Sequence, residues 1–338
     1  MSGSRRREAG EARSDGPGRA AWASSRGSPR RSKVVSLEAA AASIPAGAHL
    51  AIGGFLFHNR PSALVRALAR RGTGGLHLYS CPTASYDADL LIGLGLVAET
   101  VLANVSFDYL GLAPFFKTAA EQGTVDVVPC DEVTVAGGYM ATVEGIPYHP
   151  VHSAGGHDIG KASRLVTPYV AHTGHHLYAV APIAPDVLVL HAQEADPFGN
   201  VRHLGSIWGD ELMAKASRRV IVEVDRVVEP AVVLADPRGT TLASHLVDAV
   251  VEAPYGAHPC SSHLRYLHDE AHIRRYLGAA WAAVTDGDRR PFEAYVERYV
   301  TGPRDHAEYL ERIGGAAALA ALEAEPRRFP GAPAEPTP

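Results

Sequence analysis

Short apolar runs alternate with helix-like segments between residues 50 and 251. Residues 187–190 are apolar at every position, which is typical of a strand that is buried on both faces. Helix-like segments separate these runs, and Pro61 opens one of them, because proline suits the first turn of a helix. The alternation predicts an α/β fold with an open, mainly parallel sheet flanked by helices. Helical segments near residues 268–280, 291–299 and 305–313 predict a helical C-terminal part.

The two ends of the chain differ from this pattern. Residues 1–32 are rich in Arg, Gly and Ser and hold few aliphatic residues, so they cannot bury enough apolar surface to fold. We interpret them as a disordered extension, or as the product of a start codon placed too early, and their expression stays an open question. Residues 316–338 form a tail rich in Ala and Pro. The predicted α/β domain therefore spans residues 33–315.

The composition excludes several classes of protein. Hydrophobic residues make up 46% of the 338 residues, which is enough for a large core. The formal net charge is -5 and no folded segment is strongly basic, so we expect neither nucleic acid nor a membrane as a partner. No apolar run approaches the ~18 residues of a membrane helix. Three widely separated cysteines argue against disulfides and favour a cytoplasmic location.

A glycine pair follows the first predicted strand. Gly53 and Gly54 end that strand, Phe55 comes next, and the helix that begins near Pro61 follows. Glycine allows a ligand to approach the backbone closely and allows N–H groups to point at an anion. We therefore interpret Gly53, Gly54 and Phe55 as candidate ligand-binding residues. The alternative is a tight strand-to-helix turn with no ligand.

Hydroxyl groups cluster after the second predicted strand. Ser80 follows that strand, which we predict at residues 76–79, and Ser85 comes next in a loop that leads to a helix. Because ligands of open parallel sheets bind beyond the carboxyl ends of the strands, we interpret both serines as candidate ligand-binding residues. The alternative is that Ser85 or Asp87 caps the helix, and the two roles are compatible.

A pair of carboxylates, Asp131 and Glu132, follows the fourth predicted strand and precedes a mostly apolar stretch. If that stretch is a helix, both residues lie at its N-terminus, where the helix dipole favours the ionised form by roughly 0.3–1 kcal/mol. The candidate catalytic residue is Glu132. Simple capping of the helix is the alternative.

Two further groups carry less weight. The histidines between His149 and His176 match no zinc-binding spacing, so we expect no metal site. His258 and Cys260 are two residues apart on one predicted loop. A catalytic Cys–His pair meets in space rather than in sequence, which argues against a cysteine hydrolase.

Five segments, taken in order, resemble the class I CoA-transferases, and specifically the A-type chain of the glutaconate CoA-transferases. They are residues 52–55 with Pro61, residues 91–97, residues 144–151, residues 191–202 and residues 252–259. Together they cover nearly the whole predicted domain. The resemblance implies a CoA-transferase-like α/β fold, a coenzyme A thioester as substrate and no permanently bound cofactor. With it, the candidate substrate- or CoA-binding residues are Gly53, Gly54, Phe55, Ser80 and Ser85.

The resemblance also implies a partner and a mechanism. The partner is a B subunit, in a hetero-oligomer of A2B2 or larger. In this family a glutamate attacks the acyl-CoA, and a glutamyl-CoA thioester forms before CoA passes to a free carboxylate, here expected to be a di- or oxo-carboxylate. That glutamate belongs to the B subunit, so this chain would supply glycine-loop backbone groups, which stabilise an oxyanion, and part of the acyl pocket.

Two alternatives remain open. One branch of the family hydrolyses a carbon–carbon bond in CoA thioesters from steroid-ring breakdown, and there the resemblance assigns Glu132 the role of general base. The other alternative is a non-enzymatic, effector-binding module of related fold, since fold alone does not settle function. Against it, the sequence contains no evident DNA-reading helix.

Overall fold

The computed structural model describes residues 30–152 and 158–324. The chain divides into two units, Met1–Ser32 and Lys33–Pro338. Residues 1–29 and 325–338 lie outside the described residues, so the predicted extension and most of the predicted tail stay predictions. Residues 316–324, which we assigned to the tail, belong to a helix in which Leu319 is buried.

The described residues form two sheets. Their strands are β1 (His49–Ile52), β2 (Leu76–Ser80), β3 (Val97–Leu102), β4 (Asp126–Val127), β5 (His149–Val151), β6 (Val166–Val170), β7 (His176–Val180), β8 (Val187–Ala195), β9 (Val201–Arg202), β10 (Val220–Val227) and β11 (Ala249–Glu252). The main sheet has the order β11-β10-β8-β1-β2-β3-β4, in which all neighbours are parallel, and β9 pairs antiparallel with β8. This arrangement confirms the predicted open, mainly parallel sheet.

Helices follow most of the strands. They are α1 (Leu37–Ala42), α2 (Ser62–Arg71), α3 (Tyr86–Gly93), α4 (Pro114–Gln122), α5 (Glu132–Glu144), α6 (Ile159–Ala162), α7 (Asp210–Ala216), α8 (Pro230–Ala235), α9 (Glu270–Thr285), α10 (Arg290–Val296), α11 (His306–Arg312) and α12 (Gly315–Ala324). A π-helical turn (Glu297–Thr301) extends α10. Helices α9 to α11 confirm the predicted helical C-terminal part. No helix within the described residues is long and apolar enough to cross a membrane.

Strand β8 lies in the middle of the main sheet, and all nine of its residues are buried. Val187 and Val189 belong to the hydrophobic core on one face of the sheet, whereas Leu188 and Leu190 belong to the core on the other face. This alternation follows from the period of two in a β-strand. The apolar run at residues 187–190 is therefore a doubly buried strand, as its pattern predicts.

The order of the strands reverses between β1 and β8. From β1 the chain proceeds through β2 and β3 to one edge of the sheet, and it then returns to the other side of β1 to form β8, β10 and β11. In open α/β sheets, ligands bind outside the carboxyl ends of the strands at such a reversal. Gly53 and Gly54, which follow β1, therefore lie where the topology favours a ligand.

A small antiparallel sheet, in the order β5-β7-β6, is not predicted from the sequence. It includes His149 and His176, two of the histidines noted above, whereas His157 lies outside the described residues. The sheet has a small core of Val151, Val166 and Val180. Its other side chains are largely polar or exposed, so its strands lack an apolar alternation.

Candidate active site

Four segments meet beyond the carboxyl ends of β1 and β2, namely the glycine loop, the loop after β2 and the first residues of α5 and α7. In the glycine loop, residues 53–56, the Leu56 N–H donates a hydrogen bond to the Thr83 carbonyl (3.2 Å), which joins this loop to the loop after β2. The Thr83 hydroxyl donates to Glu132 Oε1 (2.9 Å) at the start of α5. The Gly54 N–H donates to Asp210 Oδ1 (2.8 Å) at the start of α7. These contacts bring Gly54 and Glu132 into one site.

Steric contacts explain the glycine pair. A Cβ atom on Gly54, which has φ +85°, would lie 2.5 Å from the carbonyl oxygens of His58 and Asn59. A Cβ atom on Gly53 would lie 2.6 Å from Asp210 Oδ1 and from Leu190 Cβ. No side chain fits at either position unless its surroundings move, so the loop requires glycine whether or not a ligand binds.

The amide groups of the glycine loop are already hydrogen-bonded within the chain. The Gly53 N–H donates to the Val189 carbonyl (2.8 Å), and the Phe55 N–H donates to the His58 carbonyl (2.9 Å). The Gly54 N–H is held by Asp210. This differs from the expectation that these groups are free to bind an anion, because the close packing that requires glycine also supplies acceptors. The assignment of Gly53, Gly54 and Phe55 as substrate-binding residues stays a prediction.

Two buried groups lie beneath the glycine loop and were not predicted from the sequence, namely Asp210 and His203. Asp210 Oδ2 and His203 Nε2 lie 3.4 Å apart, and neither atom has a hydrogen-bond partner among the described residues. His203 Nδ1 contacts the Thr241 hydroxyl at 2.7 Å. Neither residue stands out in the sequence. His203 comes directly after the family-like segment at residues 191–202, and Asp210 looks like an ordinary acidic residue in the first turn of a helix.

A buried network of charged side chains holds the helix that follows the glycine loop. His191 on β8 lies between Glu223 (3.1 Å) and Asp225 (3.4 Å), which are on β10. Burial by itself lowers the pKa of His191, but the two carboxylates outweigh burial and raise that pKa to about 9. Glu223 Oε2 also accepts the Leu64 N–H (2.7 Å). The network thus fixes the first turn of α2, which follows the glycine loop.

Ser80 and Ser85 lie near the site but have different surroundings. The Ser80 hydroxyl donates to the Ile52 carbonyl (2.9 Å) and joins β2 to β1. Ser85 is buried before α3, and its hydroxyl has no hydrogen-bond partner among the described residues. Asp87 forms a fully buried ion pair with Arg60. The expectation that Ser85 or Asp87 caps α3 is therefore wrong, whereas a binding role for the two serines stays a prediction.

Glu132 is the first residue of α5, as predicted. Asp131 is the capping residue, and its Oδ1 accepts the Thr134 N–H (2.7 Å). Glu132 is exposed. It borders a cavity of about 300 Å³, whose other lining residues are Cys81, Pro82, Val133, Ala136, Gly137, Met140, His149 and Val151. Larger cavities, of about 480 and 400 Å³, contain none of the predicted site residues.

The cysteines do not form a nucleophile. Burial, with the nearby carboxylates of Glu132 and Asp210, raises the pKa of Cys81 to about 12. Burial also raises the pKa of Cys260, while the ring nitrogens of His258 contact Tyr309 and Asp269 instead of the thiol. A thiolate is the reactive form, so these environments argue against a cysteine hydrolase, in agreement with the sequence.

One group within the described residues has atoms close enough together to hold a metal ion. His258, Asp269 and His272 offer ligand atoms within 4.8 Å of one another. However, the His258 ring contacts the Tyr309 hydroxyl (2.6 Å) and Asp269 (3.2 Å), and Asp269 accepts the His272 N–H (2.8 Å) as the cap of α9. These hydrogen bonds hold the start of α9 in place, which accounts for the proximity of the three side chains without a metal ion.

The comparison with known families decides the classification. The family model described as coenzyme A transferase matches residues 34–253. The chain belongs to the coenzyme A transferase family. The match includes every strand of the main sheet and the glycine loop.

Relatives in this family carry different names. An uncharacterized protein of Archaeoglobus fulgidus is 32% identical over 86% of this chain, which spans 64% of that relative's length. The A-type chain of 3-oxoadipate CoA-transferase from Pseudomonas knackmussii is 30% identical over 79% of this chain and 93% of its own length. The cholesterol ring-cleaving hydrolase IpdA subunit of Rhodococcus jostii is 30% identical over 82% of this chain and 94% of its own length.

Solved structures support the same fold. Glutaconate coenzyme A-transferase from Acidaminococcus fermentans has a TM-score of 0.80 at 26% identity, over 86% of this chain and 96% of that chain. The decarboxylase AibA/AibB has a TM-score of 0.70 at 31% identity, over 80% of this chain and 100% of that chain. Because transferases, a decarboxylase and a ring-cleaving hydrolase share this scaffold, family membership alone does not identify the reaction.

Proposed function

We propose that this chain is the A-type chain of a heteromeric CoA-transferase, which moves CoA between an acyl-CoA and a free carboxylate. The observation that carries the proposal is that the site is open on one side. Along α5, which begins at Glu132, the apolar residues Val133, Met140 and Val143 share one helical face by their spacing and are 51%, 39% and 42% exposed. Contiguous exposed apolar surface marks a site of interaction, and a B-type chain docked there would close the cavity.

In this proposal the nucleophile comes from the B-type chain. Its glutamate attacks the thioester carbonyl, CoA leaves as the thiolate, and an acyl-glutamyl anhydride forms. The thiolate then attacks the glutamyl carbonyl, which releases the first carboxylate and leaves glutamyl-CoA. The acceptor carboxylate reverses both steps. This chain contributes the rigid glycine loop and the cavity beside Glu132, which orient the thioester.

The second candidate is the CoA-thioester carbon–carbon hydrolase. The position of Glu132 favours it, because an exposed carboxylate that borders a cavity and accepts a hydrogen bond from Thr83 is suited to act as a general base. A non-enzymatic effector-binding module is the third candidate. For each of these, the three unpaired cysteines agree with a reducing compartment, and we propose a cytoplasmic location.

The test uses the complex of this chain with a B-type chain, with the isolated chain as control. Acyl-CoA and an isotopically labelled carboxylate are incubated together, and CoA on the labelled acceptor supports the transferase. Consumption of a ring-opened thioester without any acceptor supports the hydrolase instead. Binding of an effector with neither reaction supports the third candidate. Full turnover by the isolated chain would contradict the proposed role of the B-type chain.

A further inference from the structure

The cavity beside Glu132 has an uneven distribution of charge. Its lining is mainly apolar and includes Val133, Ala136, Met140 and Val151. Among the residues that the structure describes, neither a lysine nor an arginine lines it. The charged side chain that borders it is the anionic Glu132, on the side where the Thr83 hydroxyl binds.

The single imidazole in the described lining does not change this balance. His149 Nδ1 lies 3.4 Å from Glu144 Oε2, so a positive charge on His149 already has an anionic partner within the chain. Once a B-type chain closes the cavity, as proposed above, a ligand carboxylate would lose its water and would lie beside the Glu132 carboxylate instead of a cation. Burying a charge without a partner is strongly unfavourable.

The cavity is also joined to the glycine loop. Cys81 lines the cavity, and Thr83, two residues later, bonds the glycine loop through the Leu56 N–H (3.2 Å). A thioester held at the glycine loop can thus extend its acyl group past Glu132. The volume of about 300 Å³ is at the small end of the ~300–1,000 Å³ typical of ligand pockets, which suits a short or medium acyl chain.

We infer that this cavity binds an acyl group with an uncharged, apolar end and excludes one that carries a second carboxylate. The inference rests on the proposed function and deepens it. Because donor and acceptor acyl groups occupy the same site in turn in a ping-pong reaction, both substrates are then apolar monocarboxylates. This inference differs from the di- or oxo-carboxylate that the family resemblance implies.

The experiment compares two thioesters of equal chain length, hexanoyl-CoA and adipyl-CoA, with the assembled complex. We expect kcat/KM to favour hexanoyl-CoA by at least ~10²-fold, because in the closed complex the extra carboxylate would be unpaired and beside Glu132. Met140→Lys places a cation in the lining and should reduce that ratio by at least ~10-fold. Leu234→Lys adds the same charge to an exposed position (76%) outside the cavity and should leave the ratio unchanged.

Two checks keep the outcomes separate. Ala136→Lys adds the same charge one turn earlier on α5, in case Met140→Lys weakens assembly, which size-exclusion chromatography monitors. Calorimetric binding of the two thioesters needs no turnover, so it tests the inference even if the complex transfers no CoA and the proposed function fails. Equal or tighter use of adipyl-CoA by the natural complex overturns the inference. So does an unchanged ratio in both lysine variants, which would indicate that a side chain of the partner fills the cavity.

Discussion

Replacement of Gly54 by alanine separates two physical effects that a glycine normally combines. Gly54 has φ +85°, and an added Cβ would lie 2.5 Å from two backbone carbonyl oxygens. Gly47 is a matched control, because it has φ +74° and nothing within 4 Å of an added Cβ. Gly47→Ala therefore measures the cost of the left-handed backbone alone, whereas Gly54→Ala measures that cost together with the steric contact.

The magnitudes follow from these two contributions. A left-handed backbone costs a residue other than glycine ~1 kcal/mol, so both variants should lose about that much unfolding free energy. The contact at Gly54 is with backbone atoms, which cannot rotate away, and overpacking of this kind adds ~1–3 kcal/mol. We expect Gly54→Ala to lose ~2–4 kcal/mol in total. A typical domain has ~5–15 kcal/mol of stability, so the variant should still fold.

The assay is urea denaturation of both variants, followed by turnover of the assembled complex. A displacement of the glycine loop by ~1 Å should reduce kcat/KM by up to ~10²-fold in Gly54→Ala, while Gly47→Ala keeps normal turnover. Equal losses of stability in the two variants would refute the steric argument. Normal turnover in folded Gly54→Ala would refute a role of this loop in orienting the substrate.

Three further predictions concern ionisable groups. Glu132→Gln should reduce turnover only modestly if the B-chain glutamate is the nucleophile, but by ~10²–10⁴-fold if Glu132 is a general base, as single-turnover kinetics would show. Burial raises the pKa of Asp89 to about 7, so the folded state holds a proton that the unfolded state has lost above pH ~4, and stability falls as pH rises from ~4 to ~7 by up to ~4 kcal/mol. Asp89→Asn should remove this slope from urea-denaturation curves. His191→Gln removes the cation between Glu223 and Asp225 and should cost ~3–5 kcal/mol at neutral pH.

Each of these predictions has a contradicting result and a check. Borohydride trapping of a B-chain adduct, together with a small rate loss in Glu132→Gln, would exclude the hydrolase. A pH slope that persists in Asp89→Asn would show that another group causes it. Similar stability of His191→Gln and the natural chain would show that Glu223 and Asp225 do not need a cation between them. The Glu121→Gln change on the exposed face of α4 serves as the surface control.

The sequence predicts the layers of this fold better than their order. Buried strands such as β8 can be identified because every position is apolar, and α5 because Asp131 caps it. The position of β8 next to β1 depends on pairing between segments more than 130 residues apart, for which a single sequence contains no local signal. The small antiparallel sheet was not predicted because its strands are largely polar. Its hydrophobic core contains three buried side chains among the described residues, Val151, Val166 and Val180.

The candidate site shows the same division between local and distant information. The glycine pair and the position of Glu132 follow from local pattern, since a turn and a helix start are local structures. The hydrogen bonding of the loop amides does not follow from local pattern, because the acceptor for the Gly54 N–H is Asp210, 156 residues away in the sequence. A glycine-rich loop therefore identifies a place where backbone and ligand can come close, but it does not establish which of its N–H groups are free.

The steric constraints on the glycine loop and the chemistry of the cavity answer different questions. The loop needs glycine because neighbouring backbone and side-chain atoms occupy the space of a Cβ, and that need is the same for a transferase, a hydrolase or a decarboxylase built on this sheet. The reaction and the substrate depend instead on groups at the open side, namely Glu132, the lining residue Met140 and whatever the partner chain adds. Variants at Glu132 and Met140 should therefore change the reaction or the acyl preference at little cost in stability, whereas variants at Gly54 should change stability first. The opposite pattern would mean that the open side of this chain has no part in the chemistry.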